Sequence, residues 1–247
     1  MEKILLPESS FSDLCQFISD TEGKMVQTGK GYRFYNVETS RWSNRFCLDK
    51  MDEDTVPYII EGIRIHKPGL ISYTKECVPE NVAGTLRELG YEVRKEQTGM
   101  LFHIEENFKI SEKDLSPNIE QINADRLKEW CDVTAEAFPK PSEYPAFRML
   151  MERHPEKLAF FGYVEQGKII GTIMVYKKGP NPGIHEVAVL PDQRGKGIAR
   201  KLVMAALEEC RMEGFRMASL QASEMGRGLY EHLGFEAVST LVIWNQV

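Results

Sequence analysis

The spacing of apolar residues along the chain changes its period several times, and each change marks an element. Phe11, Leu14, Cys15 and Ile18 fall at i, i+3, i+4 and i+7, so a short helix is predicted over residues 11–18. Residues 32–37 and 41–48 read as strands, and residues 56–65 as a helix whose acidic approach suits its positive N-terminal end. Residues 70–74 then predict a strand and residues 80–89 a helix closed by Gly90. Residues 91–104 predict a strand or a hairpin with Gly99 near its middle. Residues 107–117 are polar and short of apolar anchors, the composition of a linker.

Beyond that stretch the alternation is clearer. A strand is predicted over residues 119–122. The following helix, residues 125–138, has Leu127, Trp130, Cys131, Thr134 and Phe138 on its apolar side and is stopped by Pro139 and Pro141. A second helix covers residues 144–151. Apolar runs at 158–164 and 169–176, separated by a turn containing Gly167, predict a hairpin. Residues 184–189 form the next strand. From Ile198 the stripe Ile198, Leu202, Val203, Ala206, Leu207 and Cys210 predicts a helix ending at Gly214. A strand at 217–221, a short helix around 229–233 and a strand at 237–244 complete the chain.

The tails of the two halves match. Leu86 to Tyr91 reads LRELGY and Tyr230 to Phe235 reads YEHLGF; each pairs a helix with a closing glycine and an aromatic that opens the next strand. Leu86 stands where Tyr230 stands, and no glycine loop precedes the helix at residues 56–65. If the halves share a fold, only the second carries the chemistry discussed next.

That chemistry centres on residues 184–200, IHEVAVLPDQRGKGIAR, an apolar strand, a turn through Pro191 and glycines opening onto a helix. Gly195 and Gly197 permit a tight loop with several N–H groups pointing inward, and the helix beginning at Ile198 adds donors that lack intrahelical partners. Arg194, Lys196, Arg200 and Lys201 surround the spot with positive charge. The stretch reads either as an anion cradle or as a plain connector. The spacing excludes GxxxxGK[ST] and GxGxxG.

Composition narrows the partners. Against 31 Lys and Arg stand 37 Asp and Glu, a net charge of −6, so nothing global draws nucleic acid or an anionic membrane. The acidity sits mainly in the first half, which leaves the basic cluster at Arg194 conspicuous in a nearly neutral second half. Five scattered cysteines without CxxC spacing indicate neither a disulfide framework nor a zinc site, and no metal is expected. The absence of a signal-like or membrane-length apolar run predicts a cytoplasmic location.

Two blocks in the second half resemble the GNAT acetyltransferase superfamily. Its signature Q/R-x-x-G-x-G/A is matched by Arg194, Gly197 and Ala199 after a strand ending in Val189, Leu190 and Pro191. The LYEHLGF block from Leu229 is similar to the family's closing block. The resemblance implies an α/β (α+β) fold of two GNAT-like halves, each a mixed, mostly antiparallel sheet flanked by helices. Residues 1–110 would be a degenerate copy, 111–117 a linker and 118–247 the acetyl-CoA-binding domain.

The resemblance further implies transfer of an acetyl group from acetyl-CoA to a primary amine by direct attack in a ternary complex. Gly195, Lys196, Gly197, Ile198, Ala199 and Arg200, with Arg194, would hold the pyrophosphate. Val187, Ala188 and Val189 would pair with the pantetheine arm. Tyr230 stands where relatives place the general acid. Glu186, a carboxylate among apolar strand residues, is the candidate base, although a solvated glutamate at a strand end reads equally well; His185 faces the other way. Ser223 departs from the asparagine of many relatives. The acceptor would be an amine-bearing small molecule or peptide, and the protein a monomer or homodimer. A non-catalytic acyl-CoA-binding or regulatory module is the alternative.

Overall fold

The fold is that of a computed structural model, which describes residues 7–49, 51–79, 82–104, 116–179 and 181–247. The chain separates into two compact units. One comprises Met1–Met100, Gln221–Gly228 and Ala237–Val247, the other Leu101–Leu220 and Leu229–Glu236.

In the first unit, α1 (Pro7–Glu22) extends beyond the predicted helix at both ends, and its stripe of Phe11, Leu14, Cys15 and Ile18 is buried as the spacing requires. Strands β1 (Gln27–Gly29), β2 (Tyr32–Tyr35) and β3 (Arg45–Leu48) form an antiparallel meander. Helix α2 (Val56–His66) carries the chain to β4 (Leu70–Thr74), which runs parallel to β3. Helix α3 (Val82–Glu88) contributes Val82 and Leu86 to the core and leads into β5 (Tyr91–His103). β5 is one continuous strand, with no turn at Gly99. Its residues through Met100 belong to this unit and those from Leu101 to the second.

The second unit opens with β6 (Ile119–Gln121), followed by α4 (Leu127–Ala137) and α5 (Tyr144–Arg153). Strands β7 (Leu158–Glu165), β8 (Lys168–Tyr176) and β9 (Gly183–Val189) continue from β6 as an antiparallel set, with the predicted hairpin turning at Gln166 and Gly167, both at positive φ. Helix α6 (Ile198–Met212) leads to β10 (Met217–Ala222), parallel to β9. Helix α7 (Glu224–Leu233) and β11 (Glu236–Gln246) end the chain. Each unit is thus a mixed sheet, mostly antiparallel, with helices packed on it.

The repeated order is longer than the sequence indicated. Strand, helix, parallel strand, helix and closing glycine recur as β3, α2, β4, α3, Gly90 and as β9, α6, β10, α7, Gly234.

Most of the linker expected at 111–117 lies outside the described residues. The units do not divide the chain by a single cut there, because β11 pairs antiparallel with β4, from Leu241 opposite Thr74 to Asn245 opposite Leu70. The period of two explains the attachment. Val242 and Trp244 enter the core containing Phe46, Ile59, Ile63 and Ile71, and Leu241 and Ile243 enter the one containing Phe11, Cys15 and Tyr35. A strand buried on both faces needs a sheet interior, and β4 supplies it.

Within the second unit, Trp130 anchors α4. Its ring packs edge-on against Phe160 at 5.1 Å, and its indole N–H donates to the Phe161 carbonyl at 2.8 Å. Helix α6 seats against β8 at Gly171, where a Cβ would come within 2.9 Å of Ile198 Cγ2 and 3.0 Å of Leu202 Cδ1. The α6 stripe is buried as predicted. Phe138 is not: it follows the last turn of α4 and is 44% exposed, while Val133 and Ala137 take the inward positions. Among the described residues, no helix is long and apolar enough to cross a membrane.

Candidate active site

The approach to α6 is built to present backbone donors. Gly195 and Gly197 adopt φ of +79° and +75°, and Gly197 is the N-cap. The N–H groups of Gly195, Lys196, Gly197, Ile198 and Ala199 have no hydrogen-bond acceptor among the described residues, and the Lys201 N–H donates to the Gly197 carbonyl at 3.2 Å. A Cβ at Gly195 or Gly197 would meet nothing within 4 Å, so the space over the loop is open. Successive outward N–H groups at the positive end of a helix dipole make an anion site.

The first unit handles the equivalent position differently. Ahead of α2, the Asp52 carboxylate accepts from the Thr55 N–H at 3.0 Å, and the Thr55 hydroxyl in turn accepts from the Asp52 N–H at 2.8 Å. That turn supplies its own carboxylate, as its acidic sequence requires.

Beside the loop, β9 changes partner. Its pairing with β10 runs through Gly183 and Ile184, opposite Ser219 and Leu220. On the β8 side the register shifts: Met174 faces His185 but Thr172 faces Ala188, so β9 carries one extra residue there. Glu186 sits in this bulge with φ of +54°. A bulge bends the strand and re-aims side chains, and a non-glycine residue at positive φ is held there at a cost of ~1–2 kcal/mol. The β10 pairing does not extend past Ile184, so Val187, Ala188 and Val189 present an edge without a strand partner on that side, among the described residues.

The bulge delivers Glu186 to Lys140, whose Nζ lies 2.6 Å from Oε1; the two side chains are 5% and 19% exposed. Lys140 follows the end of α4 and lines a narrow crevice with Trp130, Cys131, Thr134, Glu143 and Phe147. The Thr172 hydroxyl donates to the Glu186 carbonyl at 3.0 Å and so secures the bulge from β8. Burial, with the Glu186 carboxylate adding to it, pushes the Cys131 thiol well above its ordinary value and keeps it protonated.

Arg194 ties these parts together. Its Nε donates to the Val189 carbonyl at 3.2 Å and its Nη2 to the Ala137 carbonyl at 3.1 Å, joining the loop to the ends of β9 and α4. Its guanidinium is therefore a brace in this geometry, and the loop's backbone, not this side chain, offers the unused donors. Lys196 Nζ donates to Gln193 Oε1 at 2.6 Å, and Lys201 Nζ lies 5.4 Å from the centre of the Tyr163 ring.

Tyr230 is the buried residue of α7, with its ring 5.6 Å from that of Phe235. Its hydroxyl has no hydrogen-bond partner among the described residues, and burial raises its pKa, so it is a protonated donor at any working pH. Ser223 Oγ accepts from the Gly226 N–H at 3.2 Å and so caps α7. His185 is buried, and desolvation together with the Lys140 charge lowers it to about 3, so it is neutral.

Residues 124–235 match the acetyltransferase (GNAT) family model. The chain carries a GNAT acetyltransferase domain. All the site residues just described lie within it. An uncharacterised N-acetyltransferase of Escherichia coli is 40% identical over 58 residues, which cover 22% of this chain and 35% of that protein. One of Methanocaldococcus jannaschii is 31% identical over 108 residues, 40% of this chain and 47% of the relative. This chain therefore spans between a third and a half of these relatives. Among solved structures, a GCN5-related N-acetyltransferase from Kribbella flavida has a similar fold, with a TM-score of 0.73 at 14% identity over 100% of this chain and 96% of that one. A tandem GNAT protein from the clavulanic acid biosynthesis pathway gives 0.53 at 13% identity, covering 81% and 74%.

The glycine loop, Glu186 and Tyr230 stand out in the sequence as site candidates; the ion pair, the bulge and the brace do not. A lysine held between Pro139 and Pro141 was the available signal for the first. The bulge has no sequence mark, since Glu is an ordinary strand-end residue.

Proposed function

We propose that the GNAT domain transfers an acetyl group from acetyl-CoA to a primary amine in a ternary complex. The observation that carries this reading is the run of unused N–H donors from Gly195 to Ala199 at the start of α6. Those donors suit the pyrophosphate, and the β9 edge at Val187, Ala188 and Val189 suits an amide-bearing arm. When bound, acetyl-CoA supplies the activated thioester. Glu186 takes a proton from the incoming ammonium, which an amine of ordinary pKa must lose before it can attack. Tyr230 holds the proton that the leaving sulfur requires. The first unit is read as a degenerate GNAT-like copy, on the strength of the repeated order of elements and the turn ahead of α2 that closes on its own Asp52 carboxylate. The expected setting is cytoplasmic.

The test is Tyr230→Phe assayed for CoA release against an amine panel. A fall of roughly a hundredfold with acetyl-CoA affinity unchanged supports the reading. One observation favours the second reading, a non-catalytic acyl-CoA-binding module: Glu186 is already engaged by Lys140. That reading prevails if the wild-type protein binds acetyl-CoA yet releases no CoA with any amine.

A further inference from the structure

A primary amine already stands at the candidate base. Lys140 Nζ lies 2.6 Å from Glu186 Oε1, the place an acceptor ammonium must take to give up its proton there. The position is held from several sides. The Lys140 N–H donates to the Ala135 carbonyl at 3.1 Å, which fixes the backbone at the end of α4, and Arg194 fastens the Ala137 carbonyl to the Val189 end of β9. Lys140 shares the lining of the crevice with Trp130 and Phe147. Surface lysines of the same unit are placed otherwise: Lys128 is 67% exposed and pairs with Asp132 along its own helix.

We propose that Lys140 is a self-acetylation site, modified by the domain's own acyl transfer. The inference rests on the reading given under Proposed function. In the step, the Lys140 ammonium passes a proton to the Glu186 carboxylate. The freed nitrogen then forms a bond to the acetyl carbonyl carbon of acetyl-CoA while the carbon–sulfur bond breaks, and the nitrogen, now bonded to the acetyl group, gives up its second proton to water. The departing thiolate takes the Tyr230 proton, which returns from solvent, and Glu186 releases its proton to water. The balance is one ammonium and one thioester giving one amide, one thiol and one proton. The product is a neutral amide that no longer forms an ion pair with Glu186.

The test is incubation of the full chain with isotopically labelled acetyl-CoA, followed by peptide mass spectrometry, with acetyl-CoA binding measured by calorimetry on the same sample. Uncatalysed acetylation follows exposure, so it ranks Lys128 and Lys75, 67% and 61% exposed, far ahead of Lys140 at 19%. Self-acetylation reverses the ranking, with Lys140 labelled at least about tenfold faster than either. Glu186→Gln and, independently, Tyr230→Phe suppress the Lys140 label and leave those on Lys75 and Lys128 unchanged. Labelling of Lys140 no faster than Lys128, or at the same rate in both variants, overturns the proposal. If acetyl-CoA binds and free amines are acetylated while Lys140 stays unlabelled, only the self-acetylation is refuted; if acetyl-CoA does not bind, the acetyltransferase reading falls with it.

Discussion

Replacing Gly197 by alanine separates what the loop costs from what it does. Gly197 holds φ of +75°, and a Cβ there would touch nothing within 4 Å, so the substitution introduces backbone strain without a collision. Holding an L-residue in that region costs about 1–2 kcal/mol, a fall in Tm of roughly 2–8 °C for a chain of this length. Gly23 provides the control, with φ of +76° and equally open space, in the unit that lacks the cradle. Both variants should lose similar stability in thermal denaturation. Only Gly197→Ala should also lose acetyl-CoA affinity, because relief of the strain rotates the peptide planes whose N–H groups face the ligand. One charge-assisted hydrogen bond is worth about 1.5–3 kcal/mol, so the expected weakening is roughly ten- to hundredfold by calorimetric titration. Equal affinity for acetyl-CoA in wild type and Gly197→Ala, with the stability loss present, would refute the assignment of the loop.

Other consequences follow from packing and titration. Gly171→Ala pushes a Cβ against Ile198 and Leu202, so it should destabilise by about 1–3 kcal/mol in chemical denaturation and weaken acetyl-CoA binding by tilting the start of α6; unchanged stability would mean that α6 is not seated there. Arg194→Ala removes the bonds to Val189 and Ala137 and should lower Tm by a few degrees, whereas Lys196→Ala, losing one exposed contact to Gln193, should not. His185 is depressed to about 3 in the fold from an ordinary 6.5. Between those values the unfolded chain binds a proton that the native one does not, so stability falls as pH drops below about 6.5, by up to ~1.4 kcal/mol per unit. His185→Gln should flatten that part of the stability–pH curve, and an unaltered slope would contradict it.

The elements that the sequence revealed are those whose signal is local. The α6 stripe, the β7–β8 turn and β4 needed only periodicity and turn chemistry. Phe138 misled because a fifth apolar residue at helical spacing falls just past the end of α4, where no core remains to receive it. Of the strand and the hairpin that residues 91–104 allowed, the strand is the one that forms, because β5 runs straight through Gly99. The attachment of β11 to β4 was illegible, since an apolar strand does not encode which sheet it joins. In the site, the glycine loop and Tyr230 carry family motifs. The Lys140–Glu186 pair joins residues 46 apart in sequence through a bulge that depends on tertiary packing.

Whether the backbone at the start of α6 receives acetyl-CoA is reported directly by the amide resonances there. On titration with acetyl-CoA, the N–H signals of Gly195, Lys196, Gly197, Ile198 and Ala199 should shift together and exchange more slowly with solvent, while that of Gly23 stays put. Acetyl-CoA that fails to bind, or that binds and leaves those signals unmoved, would contradict the account.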